Sequence, residues 1–135
     1  KLALHGLTQP LAVEGKTRNI HVNSIAPAAD SRLTRTVMTP EQLAPMSAAL
    51  VSPLVAWLCH ESCAETGGLF ETGGGYIAKL RWERTAGATL DLGGPDAVEQ
   101  VAGAWNRITD FSRSEHPAGF AEAMVPFTKV MSGAA

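Results

Sequence analysis

The chain has 135 residues, a net charge of −2 and 18% charged residues, and 45% of its residues are hydrophobic. This composition excludes intrinsic disorder, a coiled coil and a collagen-like repeat. The apolar runs are too short to span a membrane, no signal peptide is expected, and two cysteines are too few for a disulfide scaffold. No long basic face is present, so the sequence disfavours nucleic-acid binding.

The first predicted element is an amphipathic helix over residues 2–15. Apolar side chains recur there at helical spacing, at Leu4, Leu7 and Leu11. Pro10 has no N–H to donate, so we expect it to kink this helix. Gly15 is expected to end it. A short strand is predicted next, over residues 20–25, because Ile and Val are typical of strands.

Residues 27–49 hold three prolines with scattered serines and threonines, and they predict a long irregular stretch. Connections of this length inside compact domains are usually functional lids or binding loops. Ser52 and Pro53 then predict the start of a helix, with the serine as N-cap and the proline in the first turn.

Two cysteines, Cys59 and Cys63, lie four residues apart and are expected on one face of a helix over residues 53–63. Two thiols supply only half of the ligands of a structural zinc site. Buried reduced cysteines are therefore the favoured interpretation, and a small cysteine-based metal-binding protein is an alternative hypothesis.

Short strands are predicted over residues 69–72 and 76–83, the second from its alternation of apolar and polar side chains. The triple glycine at residues 73–75 matches neither the phosphate-binding nor the dinucleotide-binding pattern, so it indicates a turn. A further helix is predicted from the spacing of Val98, Val101, Trp105 and Ile108. Residues 112–135 are predicted to be loop-like and then weakly helical, with an interruption at Pro126.

Strands separated by helices indicate an α/β protein with parallel crossover connections. A parallel sheet needs more strands than this chain supplies, because both of its faces must be covered. The sequence is therefore expected to form half of a larger domain.

Two groups of motifs resemble the second half of the short-chain dehydrogenase/reductase family. The run K-L-A-L-H-G-L at residues 1–7 and V-N-S-I-A-P at residues 22–27 are similar to the segment that begins at the lysine of the family's Y-x-x-x-K pair. The runs C-H-E-S-C at residues 59–63 and K-L-R-W-E-R-T at residues 79–85 resemble a narrower branch. That branch contains the (3R)-hydroxyacyl-CoA dehydrogenase units of the peroxisomal multifunctional enzymes of type 2 and their bacterial relatives.

The resemblance implies the C-terminal part of a Rossmann-like, doubly wound parallel sheet over residues 1–86, with a helical C-terminal extension over residues 87–135. It also implies a nicotinamide cofactor, NAD or NADP. Lys1 would be the catalytic lysine, which binds the cofactor ribose and lowers the pKa of a tyrosine four residues before it.

The resemblance further implies that Pro27, Ala28 and Ala29 hold the nicotinamide carboxamide, with alanine at residue 28 where the family usually has glycine. Ser31 or Thr34 would place a hydroxyl near the carboxamide or the pyrophosphate. Residues 30–49 would form a mobile substrate loop.

The resemblance therefore implies part of an oxidoreductase of fatty acid metabolism that transfers hydride between the cofactor and a secondary alcohol, such as a 3-hydroxyacyl-CoA. The family's tyrosine, serine, asparagine and Gly-rich loop are expected upstream of Lys1, so the chain alone is expected to be inactive. A homodimer or homotetramer through the helices over residues 2–15 and 53–63 is implied, and a non-catalytic dimerisation module is the alternative. The expected location is cytoplasmic, or peroxisomal in a eukaryote, although no targeting tripeptide ends the sequence.

Overall fold

A helix and a turn open the chain in the computed structural model, which describes residues 1–133. Helix α1 spans Leu2–Gly15, as predicted, and continues past Pro10. A short 3₁₀ helix, Lys16–Arg18, follows, and Asn19 then adopts a left-handed conformation with φ of 54°. The N–H of Ile20 donates to the Gly15 carbonyl at 3.0 Å, so the chain reverses direction here.

Strand β1 spans Ser24–Pro27, four residues later than the predicted start at residue 20. The residues before it bond instead to the loop that precedes the next strand. The N–H of Val22 donates to the Thr66 hydroxyl at 3.1 Å, and the Val22 carbonyl accepts from the Gly67 N–H at 2.7 Å. Asn23 contacts the same loop through its side-chain amide. These bonds satisfy the polar groups locally, so no strand ladder forms there.

Three strands form the sheet, in the order β1-β2-β3. Strands β2 (Leu69–Gly73) and β3 (Tyr76–Leu80) agree with the predicted strands, although β3 ends before residue 83. Strand β1 pairs with β2 in parallel, and β2 pairs with β3 in antiparallel. The fold is thus α/β with a parallel strand pair, as predicted, and the sheet also contains an antiparallel pair, which the prediction of a parallel sheet did not include.

The β2–β3 hairpin turns at Gly74 and Gly75, with φ of 59° and 89°. Two-residue hairpin loops of this kind require positive φ at both positions, which glycine adopts without steric cost. The prediction of a turn at the triple glycine is confirmed.

The connection from β1 to β2 carries α2 (Pro40–Leu43), α3 (Ser52–Leu58) and two 3₁₀ helices, Thr34–Thr36 and Ala48–Leu50. The stretch predicted as irregular is therefore interrupted by single helical turns. Thr39 and Gln42 cap α2 reciprocally through their side chains and backbone N–H groups.

Helix α3 is shorter than predicted and begins differently. Its N-cap is Val51 rather than Ser52, because the preceding 3₁₀ helix already supplies helical backbone there. It ends at Leu58, where the N–H of Cys59 bonds to the Val55 carbonyl at 3.1 Å. The expected helix to residue 63 is wrong.

Contacts divide the chain into two units, Lys1–Arg81 and Trp82–Ala135, the second described as far as residue 133. In the second unit a small antiparallel pair, β4 (Arg84–Thr85) with β5 (Ser114–Glu115), accompanies α4 (Ala97–Ile108), which the sequence predicts. Two shorter helices complete it, α5 (Phe120–Ala123) and α6 (Val125–Met131). Arg84 donates to the Ala123 carbonyl and to the Glu115 carboxylate, both at 2.8 Å, and so ties α5 to β5.

Helix α1 packs against the rest of the first unit through the face that carries its small and polar residues. Its buried residues are His5, Thr8, Ala12 and Gly15. The leucines of the predicted apolar face are exposed, with Leu4 at 60% and Leu7 at 56%. The predicted helix is confirmed, and its apolar face is uncovered.

Candidate functional site

The candidate site lies at the carboxyl end of β1, where it adjoins β2. Pro27 is level with Thr72, and the N–H of Ala28 donates to the Thr72 carbonyl at 2.8 Å, which extends the pairing one residue past the strand. Ligands of open α/β sheets bind in the crevice at the carboxyl ends of parallel strands. The predicted cofactor segment, residues 27–34, therefore leaves the sheet at a position suited to a ligand.

Two hydroxyls of this segment hold its first turn. The Thr34 hydroxyl donates to the Ala29 carbonyl at 2.8 Å and accepts from the Ser31 N–H at 2.8 Å. The Thr34 N–H in turn donates to the Ser31 hydroxyl at 3.2 Å. The structure thus brings together Ala28, Ala29, Ser31 and Thr34, with the Ser31 residue exposed.

An ion pair absent from the sequence-based predictions follows this turn. Arg35 donates to both carboxylate oxygens of Asp30, at 2.6 and 2.7 Å. The bond from Arg35 lowers the pKa of the Asp30 carboxyl below its usual range. Only the spacing of an acid and a base five residues apart could have signalled this pair, and that spacing is common on protein surfaces.

Residues between Asp30 and Ala48 line an open cavity of about 670 Å³. Its volume is within the range of small-molecule sites. Apolar side chains and the ion pair line it, at Asp30, Arg35, Met38, Pro40, Leu43, Ala44, Ser47 and Ala48. An ion pair among mostly apolar lining residues suits a ligand that has both a polar group and a hydrocarbon part.

Lys1 immediately precedes α1 and is exposed, and its carbonyl accepts from the Leu4 N–H at 3.0 Å. The Thr8 hydroxyl contacts the Ser24 hydroxyl, which sets α1 against the start of β1. Farther along α1, Gly15 lies against Ile20, which precedes β1, so helix and strand run in opposite directions. From Thr8 back to Lys1 the helix rises about 10 Å, and from Ser24 to Pro27 the strand rises about 10 Å. This geometry brings the Lys1 end of α1 to the same end of the layer as Pro27.

The sole tyrosine is Tyr76, in β3, with Lys79 three residues after it. That spacing differs from the Y-x-x-x-K pair of the short-chain dehydrogenases. Thr72 is a feature that the sequence-based predictions missed: it is 2% exposed, and its hydroxyl has no hydrogen-bond partner among residues 1–133.

The cysteines do not share a helix face. Cys59 is exposed at the end of α3, whereas Cys63 is buried beyond it. His21 Nδ1 lies 3.0 Å from the Cys63 carbonyl oxygen, so this histidine contacts the backbone rather than a thiol. Within the described part of the chain, no three histidine, cysteine or acidic side chains are grouped to hold a metal ion.

Among residues 1–133, none of the helices has the length and apolar character needed to cross a membrane.

Comparison with known proteins agrees with the motifs. No protein-family profile matches the chain. The peroxisomal multifunctional enzyme type 2 of Mus musculus is 46% identical over 132 residues, which cover 97% of this chain and 18% of that protein.

Two solved structures are also similar to this chain. The full-length peroxisomal multifunctional enzyme type 2 of Drosophila melanogaster superposes with a TM-score of 0.83 at 32% identity, covering 98% of this chain and 24% of that one. A short chain dehydrogenase from Mycobacterium avium gives a TM-score of 0.57 at 29% identity, over 85% of this chain and 38% of that one. The chain thus spans less than a quarter of each of these two multifunctional enzymes. It is related to a segment of the peroxisomal multifunctional enzymes of type 2 and of a short-chain dehydrogenase, as its motifs indicated.

Proposed function

We propose that this chain supplies the nicotinamide-facing and substrate-covering part of an NAD(P)-dependent short-chain dehydrogenase that acts on a 3-hydroxyacyl-CoA. The observation that carries the proposal is the position of residues 27–34 at the carboxyl end of the parallel β1–β2 pair, beside a cavity walled by the segment that follows. Relatives named as multifunctional enzymes and a dehydrogenase support the reaction class.

The residues present fit a nicotinamide cofactor. Ala28 and Ala29 directly follow the carboxyl end of β1, and the hydroxyl of the exposed Ser31 lies in the turn after them. When bound, the cofactor accepts or supplies the hydride. Pro27, Ala28 and Ala29 would hold its carboxamide end, with Ser31 or Thr34 as the hydroxyl partner.

Lys1 would act as the catalytic lysine from its place at the start of α1. Its ammonium would bind the cofactor ribose and lower the pKa of a tyrosine supplied from outside these 135 residues, so that the tyrosine moves the substrate hydroxyl proton. We further propose that residues 1–86 complete a Rossmann-like domain, that residues 87–135 form its extension, and that the protein is peroxisomal if its source is eukaryotic. The last three residues of the sequence, which do not match a peroxisomal targeting tripeptide, include Ala134 and Ala135, and these two lie outside the described residues.

A second candidate, a dimerisation module without catalysis, is favoured by the uncovered leucines of α1. Trp57 of α3 is a further exposed apolar residue, at 54%. The two functions are compatible, since a dehydrogenase subunit also uses apolar helix faces to assemble.

The test compares the chain alone with the chain fused behind the cofactor-binding half of a short-chain dehydrogenase of the same branch. With a 3-hydroxyacyl-CoA and NAD, we expect NADH from the fusion and none from the chain alone. Lys1→Ala should lower the fusion's kcat by at least about 100-fold, as loss of acid–base assistance does.

Lys16→Ala is the matched control, because Lys16 is also exposed and lies at the other end of α1. Equal rates for the two lysine variants, or NADH formation by the isolated chain, would overturn the proposal. A fusion that dimerises but shows no turnover would favour the non-catalytic module.

A further inference from the structure

A three-way junction joins the two ends of residues 28–46 to the β2–β3 hairpin. The N–H of Ala28 donates to the Thr72 carbonyl at 2.8 Å, which fixes the first end of this segment to β2. The N–H of Asp30 donates to the Met46 carbonyl at 2.7 Å, which joins the two ends to each other. The residues between them therefore form a closed loop, and they provide both the Ser31–Thr34 turn and most of the cavity wall.

The glycines of the hairpin leave the space in which Met46 sits. A Cβ atom on Gly73 would lie 2.6 Å from the Ala28 carbonyl oxygen and 2.9 Å from Met46 Cε. A Cβ atom on Gly74 would lie 2.9 Å from Met46 Sδ. Gly73 has an ordinary φ, so close approach of Ala28 and Met46, rather than turn geometry, accounts for a glycine there.

We infer that Met46 is a positioning residue: its thioether packs on Gly73 and Gly74 and so holds the 28–46 loop, with its cofactor-facing turn, against the sheet. A flexible thioether fills an irregular space of this kind well. The Ala28–Thr72 and Asp30–Met46 backbone bonds also hold this loop. Packing of Met46 on Gly73 and Gly74 is thus an apolar contact between the far end of the loop and the hairpin. The effect on cofactor binding rests on the proposed function, whereas the effect on loop closure does not.

Hydrogen exchange tests loop closure directly. In Met46→Ala we expect the Asp30 amide, whose acceptor is the Met46 carbonyl, to exchange at least tenfold faster, with parallel increases for the amides of residues 31–36. Met46→Leu should restore most of the protection, because leucine has a similar volume. Met131→Ala is the matched control, since Met131 is 73% exposed in α6.

A pair of glycine variants separates the contact from backbone strain. Gly74→Ala and Gly75→Ala both place alanine at positive φ, but only the first adds a methyl group that meets Met46, since the second has nothing within 4 Å. We expect the loop amides to exchange faster in Gly74→Ala but not in Gly75→Ala. Adding Met46→Ala to the Gly74→Ala variant should give no further increase.

The functional arm uses the dehydrogenase fusion described above. Met46→Ala should raise the KM for NAD about tenfold with kcat changed less than twofold, and Met46→Leu should restore the KM. Unchanged exchange at Asp30 in Met46→Ala, or equal exchange in the two glycine variants, would overturn the inference. An inactive unmodified fusion would contradict the proposed function, and the exchange experiment would still decide the role of Met46.

Discussion

At the scale of single residues, the candidate site is held by short polar contacts. Asp30 takes part in two of them: its side chain binds Arg35, and its N–H donates to the Met46 carbonyl. Both members of the ion pair are exposed enough for solvent to weaken their attraction. Their role is therefore to orient the turn around Ser31 rather than to add much to the free energy of folding.

The stabilisation that the Asp30–Arg35 pair gives the loop is expected to depend on pH. The hydrogen bond from Arg35 lowers the pKa of Asp30 from 3.8, so the pair's stabilisation is present above that ordinary value and is lost as the pH falls through the lowered one. Arg35→Gln should raise the pKa of Asp30 back towards 3.8, as an NMR titration of the carboxyl carbon would show. Arg32→Gln removes an equal charge from the same loop and should shift this pKa much less; equal shifts would contradict the assignment.

At the scale of elements, α1 and β1 are joined by two hydroxyls, that of the buried Thr8 and that of the half-buried Ser24. The Thr8 hydroxyl donates to the Leu4 carbonyl at 3.0 Å and also contacts the Ser24 hydroxyl. Thr8 is 6% exposed. A polar link at this depth stabilises the packing of helix on sheet only while both hydroxyls are paired.

Thr8→Val keeps the shape of the side chain and removes this link, leaving the Ser24 hydroxyl without its partner. We expect the free energy of unfolding to fall by about 1 kcal/mol, measured by urea denaturation. Thr17→Val is the control, because the Thr17 hydroxyl makes a longer, exposed bond of 3.4 Å. A loss in the control as large as in Thr8→Val would contradict a specific role for the link.

Elements with strong local patterns were predictable, and those determined by distant contacts were not. Leucine spacing predicted α1, and alternation predicted β3. The start of β1 was misplaced because Val22 and Asn23 bond to residues 65–68, more than forty positions away. Periodicity contains no information about such bonds.

For the candidate site, the family resemblance pointed to residues 27–34 but not to the contacts that hold this segment in place. Ser31 and Thr34 were proposed from the family pattern, and the structure groups them in one turn. The Asp30–Arg35 pair and the place of Met46 on Gly73 were not predictable, because each depends on loop conformation. The triple glycine predicted a turn correctly, yet the need for glycine at residue 73 comes from close approach of Ala28 and Met46.

At the scale of the whole molecule, little apolar surface is buried. The chain exposes 10226 Å². A folded monomer of 14.2 kDa would expose about 6,800 Å², and two separate units of the observed lengths about 8,000 Å². Buried apolar residues among residues 1–133 are few and mostly small: Ala12, Leu43, Leu54, Cys63 and Ala104. Exposed apolar area on this scale is typical of interaction surfaces.

The leucine face of α1 therefore predicts self-association through that helix. Leu4→Arg and Leu7→Arg should shift the protein towards the monomer in light scattering after gel filtration, because a charge on a covered apolar face is costly. Val98→Arg in α4 replaces a more exposed apolar residue, 77% exposed, and should leave association unchanged. A monomeric unmodified chain, or loss of association in all three variants, would contradict a dimer built on α1.

The shortage of buried surface also has a thermodynamic consequence. Two properties of unfolding scale with the surface that unfolding newly exposes: the slope of the unfolding free energy against denaturant concentration, and the change in heat capacity. A chain that already exposes its leucines therefore unfolds over a broad range of denaturant concentration, and its stability varies little with temperature. If its apolar faces were covered, the same sequence would acquire a steeper and more cooperative transition, so coverage of the α1 leucines would determine how sharply this protein unfolds.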